Sequence, residues 1–487
     1  MILDIKSILL LNMSNILSKK LSRHINKFTI NTKKNQKKSK QKGKNIKSKK
    51  DNYIQIMYPS TTNKCINKIP YNWKFLKNTK HDNHKVNSLL LNIMNTVSNI
   101  NYKVTKKEII DLNSLNHNDL NHRYAIINVS NKNNDNDNNK KIPNQLNQNI
   151  NSFHNLLFSR FSAQDVINEV MHKHKILIKV SFQFNILNTL QKYHNLFIYC
   201  SKKDLHKLNK SFINKIMSRI LFLNFYLDTS KLPNNIILYY SNKQKKLPPK
   251  YQKFTTQNVN SAVTDFSNIT IYRKEEMLKS ILHELIHFHS IDNAGNSNYL
   301  LQELIKNHNI EPNNPYFLNE SITEVLACLF NTAFISQQKT NLSLNALLKH
   351  YKSIILNELI HNSIQVAKIL KNLGYNDLQS FCKLDNKVTN KVTNKVTNRL
   401  NQESDVFSYY ILKMYLFNQL SSFMNYFNNS NKIIISNKYN SNPDSINVLR
   451  ELYNKSRQDQ QLHKFINYLI KEGPKDNGLR MTAHILE

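Results

Sequence analysis

The chain has 487 residues, 40% of them apolar, with 69 Lys and Arg against 32 Asp and Glu and a formal net charge of +37. That length carries a sizeable core and two or three domains, and the charge favours an anionic partner such as nucleic acid, an acidic protein or a lipid surface. No run of 18 apolar residues is present for a spanning helix; the five glycines form neither a phosphate-cradling loop nor a G-x-S-x-G elbow, and the pair Gly473 and Gly478 is followed by Leu479 rather than Lys.

In chain order, an apolar patch of Ile2, Leu3, Ile5 and Ile8 to Leu11 precedes Lys19, Lys20 and Arg23. A signal peptide puts its charge before its apolar run, whereas this run is broken by Asn12, Ser14 and Asn15. Secretion is not expected; an organelle presequence or a membrane-surface helix fits the pattern better. Residues 31–50 hold ten lysines and no acid. Such a block repels itself, so 1–52 reads as a disordered basic tail. Residues 19–50 then either tether the chain to nucleic acid or an anionic surface by charge alone, address it to the nucleus, or only solubilise it.

Residues 53–127, with Tyr71, Trp73, Phe75 and an apolar run from Leu89 to Met94, read as a small accessory region. The Asn-rich stretch 128–151 reads as a flexible linker. Patterning then predicts a helix over 153–171, strands at 175–184, 196–200 and 236–240 around a helix over 205–222, and a short strand over 267–273.

Residues 275–288 read EEMLKSILHELIHF. Met277, Leu278, Ile281, Leu282, Leu285 and Ile286 recur at helical spacing, which sets His283 and His287 one turn apart on one face, able to reach a single ion. Glu284 projects beside that face as a general base toward water. A catalytic zinc usually takes three protein ligands, so a third is needed. Downstream, Pro315 to Ala327 contains Asn319-Glu320-Ser321-Ile322-Thr323-Glu324, with two carboxylates one turn apart.

The two segments together resemble the gluzincin metallopeptidases, the thermolysin-like clan, whose signatures are H-E-x-x-H and N-E-x-x-[ST]-[DE]. The resemblance implies Glu320 as third ligand, Glu324 as the carboxylate that holds a ligand histidine by its other ring nitrogen, and Asn319 beside it. A metzincin is excluded, because the positions of its glycine and third histidine are Ser290 and Asn293. One departure is the interval of 32 residues between His287 and Glu320. In that family an edge strand beside the metal helix pairs with an extended substrate, which implies Asn268, Ile269, Thr270, Ile271 and Tyr272 as a binding edge; plain packing is the other reading.

Beyond 324 the pattern is helical. Residues 344–373 form one long helix containing Asn357-Glu358-Leu359-Ile360-His361, an echo of the motif without its first histidine, read as coincidence. The tetrapeptide Asn-Lys-Val-Thr, repeated from Asn386, makes a loop over 386–400. Residues 406–427 read as an aromatic-rich helix and 463–470 as a short one. The family needs a donor to the oxyanion of the tetrahedral intermediate; Tyr409 and Tyr410 are the candidates, with Tyr316 behind them, while spacing selects neither His463 nor His484.

The expectation is an α+β chain with a zincin-like two-lobe core: an upper lobe over 152–300 and a helical lower lobe over 301–487. The resemblance implies a hydrolase that holds one Zn2+ and cleaves a peptide or protein substrate. The alternative is an inactive zincin scaffold serving as a basic nucleic-acid- or surface-binding component. Cys65, Cys200, Cys328 and Cys382 make no close pair, which points to an intracellular setting, the cytoplasm or nucleus of a host cell, or a virion. The Asn, Lys and Ile bias resembles metallopeptidases of large DNA viruses.

Overall fold

The structure is a computed structural model that describes residues 55–56, 68–76, 84–112, 163–186, 189–190, 194–264, 267–292, 297–338, 342–384, 399–434, 443–473 and 476–485. All of them belong to the unit Ile54–Glu487. The tail 1–52 with its stretch 19–50, the linker 128–151 and residues 386–398 of the repeat loop lie outside the described residues. No described helix is long and apolar enough to cross a membrane.

The strands are β1 (Gln55–Ile56), β2 (Tyr102–Asp111), β3 (Ile176–Ile186), β4 (Thr189–Leu190), β5 (His194–Cys200), β6 (Asn235–Tyr239), β7 (Ala262–Thr264), β8 (Asn268–Ile271) and β9 (His484–Ile485). The longer helices are α1 (His84–Asn99), α2 (Gln164–Lys173), α3 (Lys210–Leu227), α4 (Met277–Phe288), α5 (Asn298–Asn307), α6 (Asn319–Ser336) and α7 (Leu344–Asn372). They are followed by α8 (Lys413–Asn418), α9 (Leu420–Ile434), α10 (Pro443–Arg457) and α11 (Gln460–Glu472). The fold is α+β with a mixed sheet.

The main sheet runs β2–β3–β5–β6–β8–β7, with β4 paired to β3. β2, β3 and β5 are antiparallel, β5, β6 and β8 parallel, and β7 antiparallel to β8. Alternation along β3 explains why both faces are covered. Ile176, Ile178, Val180, Phe182 and Phe184 point into the large core, while Leu177 joins Phe197, Tyr199, Ile237 and Tyr239 under Val166, Ile167 and Val170 of α2. α3 is the crossover between the parallel strands β5 and β6 and packs against α4.

Two corrections follow. The strand read as a substrate edge is an inner one, because β8 pairs with β6 on one side and β7 on the other. Ile269 and Ile271 are in the large core, Thr270 is buried and Tyr272 lies under α2, so residues 268–272 offer no open edge. The sequence could not announce β7, since three residues are too few to display a period. The second concerns 53–127: Trp73 meets Phe465 edge-on with ring centroids 5.4 Å apart, α1 buries Leu89, Leu90 and Ile93 in the large core, and β2 extends the main sheet. β2 is exposed on both faces along most of its length and so lacks the apolar alternation that would have predicted it. α10 was missed for a similar reason, its buried apolar side being only Leu449, Leu452 and Tyr453.

Candidate metal centre

The helices of the site are buried almost all round. Eleven of the twelve residues of α4 and sixteen of the eighteen of α6 are buried. A polar side chain on such a helix has little water to turn to, so its partners must come from neighbouring elements. α4 and α6 pack directly against each other.

That packing brings three sequence-predicted side chains to one point. His283 Nε2 and His287 Nε2 are 3.1 Å apart, and each lies 3.2 Å from Glu320 Oε2. A tetrahedron whose centre is 2.0–2.1 Å from its corners, the zinc range for imidazole and carboxylate, has edges of about 3.3–3.4 Å. The three atoms therefore already form nearly one face of it, and they are the cluster able to hold a metal ion among the described residues.

The far sides of both rings are fixed. His283 Nδ1 is 2.8 Å from Glu324 Oε1, and His287 Nδ1 is 2.7 Å from Asp292 Oδ2. His287 Nδ1 hydrogen-bonds Asp292, while His283 Nδ1 is in ion-pair contact with Glu324 outside hydrogen-bond geometry, and the two Nε2 atoms face one another across 3.1 Å, where a shared cation would hold them together. The electrostatics agree. Burial pushes both imidazoles toward the neutral form, but the carboxylates of Glu320 and Glu324 around His283, and of Glu320 and Asp292 around His287, outweigh it and raise both. The carboxylates thus favour positive charge at this point, whether it is carried by the rings or by a bound ion.

Glu324 is wholly buried and would be pushed up by that burial. Lys279, which contacts Oε1, and Lys413, whose Nζ donates to Oε2 at 2.9 Å, instead hold it well below the usual carboxylate range. It stays ionised and able to hold His283.

Asp292 carries no motif signal, and sequence reasoning missed it. α4 ends with Ile291 N donating to Ile286 O at 3.1 Å and Ser290 in the left-handed region at φ 55°, a Schellman-type stop. That conformation costs a serine about 1–2 kcal/mol, and it folds the chain back so that Asp292 reaches His287. Asn319 Nδ2 and Thr323 Oγ1 donate to the same Oδ2, at 2.7 and 3.1 Å. The Asn and Thr of the second motif thus act on Asp292, which is the only trace of it in the sequence.

Glu284 lies beside the cluster, its Oε1 4.0 Å from His283 Nε2. Thr264 of β7 donates to Glu284 Oε2 at 2.5 Å, fixing the carboxylate and bringing the sheet edge to the site. Thr264, too, was invisible from the sequence.

The two tyrosines part company. Tyr409 is half-buried with its ring centroid 6.1 Å from that of His283. Burial first, then the carboxylates of Glu320, Asp405 and Glu284, push its hydroxyl well above the ordinary value, so it remains a donor at neutral pH. Tyr410 points away and donates to Leu479 O at 3.0 Å, which removes it from the candidate list. The segment that carries both, Phe407–Leu412, is a π-helix, which turns neighbouring side chains differently from an α-helix and cannot be read from a 3.6-residue period. Tyr316 donates to Glu311 O, and His463 bonds Arg457 O in the core.

No family model matches this chain, and no curated protein and no solved structure matches it.

Proposed function

We propose that the chain is a zinc-dependent metallopeptidase with a two-lobe zincin-like core, of the kind the two gluzincin signatures imply. The observation that carries this reading is the triangle of His283 Nε2, His287 Nε2 and Glu320 Oε2, with sides of 3.1, 3.2 and 3.2 Å and each imidazole backed by a carboxylate.

Those three atoms would hold one zinc ion, which when bound supplies a Lewis acid for the scissile carbonyl and a more acidic water. Glu284, aligned by Thr264, takes the proton of the attacking water and returns it to the leaving amine. Tyr409 donates to the oxygen that becomes negative as the carbonyl turns tetrahedral. Substrate alignment falls to β7, which pairs only β8 among the described strands. A peptide extended along its open side runs past Glu284. A purely structural metal site needs no base, and a carboxylate held in position beside the ligands speaks for hydrolysis over an inactive scaffold.

The test is metal analysis of purified protein beside a peptide-cleavage assay. Glu284→Gln is expected to retain one zinc per chain and lose hydrolysis, while Glu320→Ala loses most of the zinc. Normal metal content in Glu320→Ala would end the three-ligand assignment.

A further inference from the structure

Away from the metal cluster, a groove of about 550 Å³ opens between α3 and the C-terminal end of α6. Its lining includes Lys210, Ser211, Lys215, Ser218, Arg219 and Gln337, and among all its lining residues there are three cations and no acid. Residues 211, 215 and 218 share one face of α3, so the helix presents a polar stripe along the wall rather than scattered charges.

Arg219 is the unusual member. Its residue is 1% exposed, yet no carboxylate among the described residues comes within ion-pair distance. Nε donates to Asn331 Oδ1 at 3.1 Å and Nη1 to Lys215 O at 3.0 Å, while the guanidinium lies over the Phe334 ring, 4.5 Å from its centroid. Nη2 makes no hydrogen bond among the described residues. Burial alone pulls the group down to about 9, with no partner to offset it. Glu275 and Glu276 line a small cavity that Arg219 also borders, but they are taken by Arg480 and by Lys245 and the amides of Met481 and Thr482. A buried guanidinium without its counter-charge is costly, and here it borders a groove whose two lysines have no ion-pair partner among the described residues.

We infer that this groove is a binding site for a phosphate group carried by a small organic molecule, gripped by Arg219 Nη2, Lys215 and Lys210 with the Ser211 hydroxyl beside them. A phosphomonoester offers three acceptor oxygens and up to two charges. That matches a planar guanidinium fork and two point cations better than a single carboxylate does. The volume leaves room for a nucleoside- or sugar-sized remainder. The site lies at the opposite end of α6 from Glu320 and is independent of the hydrolase proposal.

Isothermal titration of the full chain at 150 mM salt, with inorganic phosphate, AMP and glucose 6-phosphate in separate arms, tests it. One saturable site is expected, with the two esters bound more tightly than inorganic phosphate. The double substitution Lys210→Gln with Lys215→Gln weakens it at least tenfold, and Arg219→Gln abolishes it. Because Lys210 is exposed and Lys215 only half-buried, the double variant keeps the fold even if Arg219→Gln does not. Unchanged binding in the double variant, or no saturable site in the parent chain, overturns the assignment.

Discussion

The tetrapeptide Glu-Leu-Ile-His occurs twice, at 284–287 in α4 and at 358–361 in α7, each time in a buried helix. In α4 the histidine's Nε2 faces a second imidazole and a carboxylate. In α7 Glu358 accepts from Thr482 Oγ1 at 2.5 Å and Ala483 N at 3.0 Å, and His361 Nε2 lies 3.2 Å from Arg480 O. The second copy is spent on pinning residues 480–483 into the core. Opposite environments drive the imidazoles in opposite directions: carboxylates raise His287, while burial pushes His361 down to about 3. Identical residues at identical spacing thus yield either a cation site or a structural clasp, depending on what the neighbouring elements bring to them.

The sharpest break between the copies is expected at their glutamates. Glu284→Gln removes the proposed general base and should lower kcat by about 10²- to 10⁴-fold with little change in urea stability. Glu358→Gln should do the reverse. It leaves a buried amide or hydroxyl poorly matched and costs about 1–3 kcal/mol of stability, while kcat/KM of the folded fraction is unchanged. A loss of turnover in Glu358→Gln without a loss of stability would erase the distinction. Next in size, Asp292→Asn should weaken zinc binding about 10- to 100-fold, as carboxylates behind ligand histidines commonly do, read by competition with a zinc chelator.

What could be read in advance follows the same division. His283, His287, Glu320 and Glu324 have fixed spacings within two long helices, so a period of 3.6 is enough to put each pair on one face. Asp292, Thr264 and the choice between Tyr409 and Tyr410 depend on a helix stop, a three-residue strand and a π-helical turn, none of which imposes a sequence period. The sheet was legible where a strand was buried on both faces, as β6 is, or alternated over a long run, as β3 does, and illegible in the exposed edge β2. Nothing in composition separates the two Glu-Leu-Ile-His copies except Asn357 where the first has a histidine.

The clasp also has a pH signature. His361 in the clasp, and outside it His308 between Leu304 O and the Tyr415 hydroxyl, are both held near 3 by burial, against 6.5 when solvated. Between those values the unfolded chain binds a proton that the folded chain refuses, so stability is full above about 6.5 and is lost as pH falls toward 3. The slope is at most about 1.4 kcal/mol per pH unit for each such histidine. Urea melts between pH 7 and 4 should show it, and His361→Gln should flatten it by about one proton; an unchanged slope would mean that His361 is charged in the fold.

The smallest expected effect is the most direct trial of the comparison. Asn357→His completes H-E-L-I-H in α7, so if the motif alone made a metal site, the chain would then bind two zinc ions. Zinc content is expected to stay at one per chain. A histidine at 357 would sit one turn before His361, but His361 Nε2 is already at the Arg480 carbonyl and within 3.3 Å of Gln365 Nε2, and Glu358 is engaged by Thr482 and Ala483. No third donor converges there among the described residues, and two imidazoles alone leave zinc short of its usual protein ligands. Position 357 is half-buried and accepts the larger ring at modest cost. A second equivalent of tightly held zinc in this variant would show that helical spacing is sufficient and that the neighbouring elements are not what decides.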